Sequence, residues 1–218
     1  EKSVTEWAKL LVPITTDVKI SWNGATAQTA QKIMLKINFD EAIANVREFI
    51  RIRNEHFKAT GYKCRVTFQL TFMQNNMHEL ADIIALAAKL DVDRVKGHQL
   101  WAHFDEIKDL SMKHSAESIL QWNKYVRQAH EAQEKYRKHN GEKVILENII
   151  PIELNESQEI PENYNCPFLG KELWISPTGK ISPCCAPDEM RQTLGNFGNI
   201  ENNTIESILN SDNYINLI

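Results

Sequence analysis

Three times in its first hundred residues the chain offers a short β-rich run, and twice such a run passes through a turn into a helix of amphipathic period. DVKIS (17–21) leads through WNGAT to a helix starting near Asn38, whose Phe39, Ile43, Val46 and Ile50 share one face. RVTFQLTF (65–72) leads through MQNN to a second helix with Leu80, Ile83, Ile84 and Ala87 inward, and DRVKGHQLW (93–101) is the third strand candidate. Parallel strands need crossovers, so this alternation predicts an α/β fold with three parallel strand-helix units in residues 1–114. Ligands then belong at the strand C-terminal ends.

The expected helix starts are Asn38 with Glu41, Asn76 with Glu79 and Asn203 with Glu206, each pair spaced for reciprocal N-capping. Gly61 is placed to stop the first long helix and Pro13 the opening one. Residues 115–139 read as one long polar helix with a solvated outer face, 142–152 as a strand, and 153–165 as a polar linker. These form a middle segment (115–160) before a small, turn-rich α+β domain at 161–218. The 29 acidic and 25 basic residues give a net charge of −4 and no basic face for nucleic acid. No apolar run approaches the roughly 18 residues of a membrane span, and the first residues lack a signal-peptide pattern. The expectation is a cytoplasmic protein with neither nucleic acid nor membrane as partner.

Three of the four cysteines lie in CPFLGKELWISPTGKISPCC, residues 166–185. Four cysteines are too few for a disulfide-stapled scaffold of this length, and thiolates are the softest metal ligands a protein has. A zinc ribbon uses two close cysteine pairs, whereas here Cys166 stands alone, Gly179 follows after twelve residues and Cys184 after four more. The intervening residues read as a β-hairpin, Trp174 and Ile175 on one strand and Ile181 on the return, turning at Pro177 and Gly179. Such a hairpin brings Cys166 and Cys184 to one end.

The run C-x12-G-x4-C, a further cysteine and then LGNFGNIENNTIESILNSDNYINLI resemble the SPASM domain of radical SAM enzymes, over residues 166–218. DVKISWNGATAQTAQKI is similar to the fourth strand and turn of the radical SAM partial, TIM-like barrel. CRVTFQLTFMQNNMHELADIIALAAKLDVDRVKGHQLW is similar to its fifth strand, fifth helix and sixth strand. The resemblance implies an enzyme that makes a 5′-deoxyadenosyl radical from S-adenosylmethionine at one [4Fe–4S] cluster and carries an auxiliary [4Fe–4S] cluster in the SPASM domain. It also implies a peptide or small-molecule substrate and an electron donor such as flavodoxin or ferredoxin. The C-x3-C-x2-C motif that holds the radical-forming cluster is absent from these residues. The expectation is an interior piece of a longer enzyme, inactive by itself; the alternative is a non-catalytic peptide-binding or zinc-holding remnant.

The same resemblance assigns candidate residues. Cys166 and Cys184 are expected as cluster ligands, while Cys185 ligates, bridges to a second cluster or simply packs; Cys64 reads as a core thiol. Ser21 stands at the family's ribose-approaching serine, or is a strand-end hydroxyl capping the turn. Asn23 occupies a position where many relatives have Asp. Met34 stands where an Arg often reaches the methionine carboxylate, with Lys36 a substitute. Gln69 and Thr71 share one face of their strand, facing the ligand or forming a polar ladder. His98, at the end of the third strand, is the candidate for substrate binding or proton relay, the alternative being a residue that satisfies backbone groups.

Overall fold

The computed structural model describes residues 2–154 and 166–218, and the chain divides into two compact units, Glu1–Glu156 and Ser157–Ile218. Most of the expected 153–165 linker lies outside the described residues.

The first unit is built on a parallel sheet of β1 (Asp17–Ser21), β2 (Arg65–Phe72), β3 (Arg94–Gln99) and β4 (Ile145–Glu147), in the order β1-β2-β3-β4. The strand expected at 142–152 joins the three expected in residues 1–114 as β4, shortened to three residues at the edge of the sheet. Strands that are neighbours in sequence and in space, each joined by a right-handed crossover, place all the connecting helices on one face. Those helices are α3 (Phe39–Thr60), α4 (Leu80–Lys89) and α5 (Ala116–Lys135). A short α1 (Val4–Leu11) packs on α3, where the Thr5 hydroxyl donates to Glu48 at 2.8 Å.

The alternation in RVTFQLTF decides which face is which. Val66, Phe68, Leu70 and Phe72 are fully buried beneath the helices, and each such side chain stabilises the fold by about 1.5–3 kcal/mol. Trp22 stacks on Phe68 with centroids 4.5 Å apart, and Trp122 of α5 meets Phe72 at 4.7 Å while donating its indole N–H to the Ile150 carbonyl. The long helix is therefore not only a polar outer face. It buries Ile119, Trp122, Val126 and Ala129 as the crossover between β3 and β4.

Capping follows the sequence in part. Asn38 accepts from the Glu41 N–H, and Gly61 closes α3 at φ 75°. Asn76 and Glu79 do not form the expected cap at the start of α4, and Asn203 does not cap the helix α7 (Ile205–Leu209), whose N-cap is Thr204 accepting from the Ser207 N–H. In both cases the asparagine is engaged elsewhere: Asn76 between two strand-end turns, and Asn203 by accepting from the Asn199 N–H. A seven-residue helix, α2 (Ala27–Ile33), fills the segment before Asn38 that sequence periodicity did not mark.

At the N-terminal end of the sheet, Asp93 collects three cations. Arg53 of α3 bonds it directly, Lys63 lies at 3.0 Å and Lys138 at 3.3 Å, and Asp93 also accepts the Val66 N–H. Burial pushes this carboxyl up, but the Val66 N–H and the Arg53 and Lys63 charges outweigh burial and hold it below the usual aspartate range. Asp93 thereby ties α3, β2, β3 and the chain after α5 together.

The second unit is small. Its hairpin pairs β5 (Trp174–Ile175) with β6 (Ile181–Ser182), and three short helices follow: α6 (Asp188–Gln192), α7 and α8 (Asp212–Ile215). Among the described residues its core is four buried side chains, Ile181, Phe197, Ile208 and Tyr214, with Leu173 and Leu217 packed against them. Gly179 is required at the hairpin turn, because its φ is 76° and a Cβ there would lie 2.4 Å from Asn199 Oδ1, whose amide fastens the turn by donating to the Thr178 carbonyl. Among the described residues no helix is long and apolar enough to cross a membrane.

Candidate functional site

Two places carry the chemistry the sequence singled out, one in each unit. In the first unit, side chains on the sheet face opposite the helices alternate with the apolar ones and are polar apart from the exposed Ile145 of β4, which pairs with Arg94. Asp17, Thr67, Arg94, Lys96 and Glu147 form a continuous network there: Thr67 donates to Asp17 at 2.7 Å, Arg94 bonds Asp17 and Glu147, and Lys96 pairs with Glu147. The Lys96 hydrogen bond, with the Arg94 charge, holds Glu147 below the usual carboxylate range against its partial desolvation.

Above this network, toward the strand C-terminal ends, the register sets Ser21 beside Gln69 and Thr71 beside His98. Ser21 and His98 are exposed, Gln69 and Thr71 half-buried. The Gln69 amide lies 3.4 Å from His98 Nδ1. Ser21, Gln69, Thr71 and His98 thus share one polar face. Asn23 is employed differently: its Oδ1 accepts the Thr71 N–H at 2.9 Å and extends the β1–β2 ladder past the last strand residue.

Sequence reasoning missed the two side chains that join the turns after β1 and β2. Fully buried Asn76 donates to the carbonyls of Asn23 (3.2 Å) and Thr71 (3.0 Å) and accepts the Met73 N–H (3.0 Å). Glu79 reaches back to the residues after Gly24. The N-x-x-E spacing signalled both residues, but for the wrong role.

In the second unit, Cys166 and Cys185 are exposed, Cys184 is half-buried, and all three are free thiols; Cys64 is fully buried in the first unit, 3.2 Å from the Thr15 hydroxyl. Ser182 fixes the Cys184 backbone by accepting its N–H and donating to its carbonyl, both at 3.2 Å. The Ala186 N–H points at Cys184 Sγ, 3.4 Å away, and hydrogen bonds of this kind tune the sulfurs that hold an iron–sulfur cluster. The strand ladder ends at Trp174 and Ser182, and Cys166 is set apart from it by a turn in which the Phe168 carbonyl accepts from the N–H groups of Lys171 and Glu172. Hairpin pairing alone therefore does not join Cys166 to Cys184. Among the described residues no three His, Cys, Asp or Glu side chains are gathered to hold a metal ion. A cubane cluster takes about four ligands. The donor chemistry fits an iron–sulfur cluster; the arrangement of the described residues does not complete its ligand set.

Residues 166–218 match the family model SPASM, described as an iron-sulfur cluster-binding domain. The match begins at Cys166 and takes in the hairpin, Cys184, Cys185 and all three helices of the second unit. Neither the curated proteins nor the solved structures compared with the chain gave a match.

Proposed function

We propose that these residues belong to a radical SAM enzyme in which residues 166–218 carry an auxiliary iron–sulfur cluster and the four-stranded unit forms part of a TIM-like barrel. The observation that carries the reading is the coincidence of the iron-sulfur domain match with three free thiols in a unit whose core, among the described residues, is four buried side chains. So small a unit gains stability from a metal or cluster staple. Cys166 and Cys184 are the proposed ligands, Cys185 the third thiol beside them, and the remaining ligands come from outside the described residues.

In the first unit, one-directional strand order and a polar face at the strand ends support a barrel lumen that receives S-adenosylmethionine and substrate. Ser21, Gln69 and Thr71 are assigned to the cofactor, Asn23 to holding the turn beside it, and His98 to the substrate, a peptide or small metabolite. An auxiliary cluster would supply one-electron transfer, with flavodoxin or ferredoxin as the electron source. The 218 residues contain no C-x3-C-x2-C, so the proposal assigns radical formation to ligands beyond them.

Anaerobic reconstitution of the full-length protein tests this. Iron and sulfide in excess of one cluster per chain, with 5′-deoxyadenosine released from S-adenosylmethionine, is the expected result. One equivalent of zinc with no cleavage overturns the proposal and supports a non-catalytic, zinc-holding remnant.

A further inference from the structure

Glu79 is 93% buried, and no lysine or arginine among the described residues pairs with it; the nearest basic atom is His78 Nε2 at 3.9 Å. Its carboxylate is satisfied instead by four donors lying 50 to 54 residues earlier in the chain. Oε2 accepts the N–H groups of Ala25 (2.7 Å) and Thr26 (3.2 Å), and Oε1 accepts the hydroxyls of Thr26 and Thr29 (2.7 Å each). Burial pushes such a carboxyl up, yet the Thr26 and Thr29 hydroxyls and the two backbone N–H groups together hold it below the usual glutamate range.

Three of these donors, on Ala25 and Thr26, belong to the turn that leaves β1 after Ser21, and the fourth, the Thr29 hydroxyl, comes from the first turn of α2. The other anchors of the turn after β1 are Asn76 on the Asn23 carbonyl and Asn23 on the Thr71 N–H. A Cβ on Gly24 would lie 2.7 Å from the Ala30 nitrogen, so the turn is also pressed against the helix it starts. Its place beside Ser21 is set by bonds from the turn after β2.

We infer that Glu79 is a positioning residue for the strand-end site: by filling the donor-lined turn after β1 it fixes Ser21 and Asn23 against Gln69 and Thr71. The part of this inference that concerns ligand affinity rests on the proposed binding of S-adenosylmethionine at that site.

The variants follow from atom counting. Glu79→Ala removes two carbons and two oxygens, the heavy atoms of acetate, and leaves four donors facing the gap. Glu79→Gln keeps one acceptor for the two backbone N–H groups and turns its NH₂ toward two hydroxyls that can rotate to accept.

Hydrogen exchange and S-adenosylmethionine titration on the reconstituted full-length protein test the inference, with Val126→Ala in α5 as a core-destabilised control. In Glu79→Ala, exchange at Ala25 and Thr26 should accelerate and affinity should fall by about tenfold or more, the equivalent of one charge-assisted hydrogen bond. Glu79→Gln should stay within a few-fold of wild type, and added acetate should slow exchange in Glu79→Ala but not in Val126→Ala, whose affinity stays at the wild-type value. Unchanged exchange at Ala25 in Glu79→Ala overturns the inference, as does wild-type affinity in that variant. If wild-type protein binds no S-adenosylmethionine, the functional proposal fails and takes the affinity claim with it; exchange and acetate rescue then decide whether Glu79 holds the turn.

Discussion

Replacing Asp93 by alanine should unlatch the N-terminal end of the sheet. The side chains of Arg53 and Lys138 are 2% and 5% exposed, so the substitution strands two buried cations, whereas Lys63 at 38% can turn to water. Removing one partner of a buried pair costs about 3–5 kcal/mol. Two features keep the expected loss within that range although two cations are involved. Arg53 retains the carbonyls of Cys64 and Asp91 and the Asn54 side chain, and Lys138 retains Glu142 at 2.8 Å. The Val66 N–H, in turn, loses its only side-chain acceptor, about 1–3 kcal/mol more for a buried donor left without a partner. A net loss of about 4–8 kcal/mol corresponds to a fall in Tm of roughly 8–32 °C for a unit of this size. Thermal unfolding followed by circular dichroism, with Asp93→Asn alongside, separates the contributions, because the amide keeps an acceptor for Val66 but carries no charge. The order should be wild type, then Asp93→Asn, then Asp93→Ala. A Tm for Asp93→Asn equal to wild type would refute the electrostatic argument.

Acidification should act through the same groups. Asp93 and Glu79 have folded pKa values below their unfolded ones, so the stability they contribute is full above the unfolded carboxylate values near pH 4 and is lost as pH falls from there through the folded values. Tm should be nearly flat above about pH 5 and fall below about pH 4, less steeply in Asp93→Asn; an identical slope in that variant would contradict the assignment. Gly97→Ala should destabilise the first unit by about 1–3 kcal/mol in urea unfolding, because its Cβ would lie 2.4 Å from Cζ of the buried Phe72 ring; an unchanged midpoint would show that Phe72 can yield. Removing iron with a chelator should accelerate hydrogen exchange across residues 173–217 while leaving β2 protected, since the four-residue core of the second unit is too small to hold it unaided.

The fold was legible where local pattern and tertiary demand coincide. Period-two alternation in RVTFQLTF marked both faces of β2, and Pro177 with Gly179 marked the hairpin turn. Asn38 caps α3 by accepting the Glu41 N–H, without the return bond from Glu41 that the spacing allowed. Asn76 and Glu79 carry the same N-x-x-E spacing, but the open donors of Ala25, Thr26 and Thr29 lie within reach of Glu79 in the folded chain, and a buried carboxylate takes the partners that satisfy it most completely. No sequence window spans that distance. α2 escaped notice because AQTAQKI has no apolar stripe, whereas the strand expected at 142–152 is present as β4 but only three residues long. Cysteine spacing pointed to the second unit, where the family match falls. What spacing could not supply was a complete ligand set: between Cys166 and its strand stands a turn that the hairpin pattern does not describe.

Whether sulfur from Cys166 and Cys184 binds iron is settled most directly by Mössbauer spectroscopy of the anaerobically reconstituted full-length protein in three single variants, Cys166→Ser, Cys184→Ser and Cys64→Ala. The auxiliary-cluster signal should disappear in the first two and persist in the third, where the thiol is buried in the first unit. A signal unchanged in Cys184→Ser, or wild-type protein that takes up zinc and no iron, would contradict the assignment.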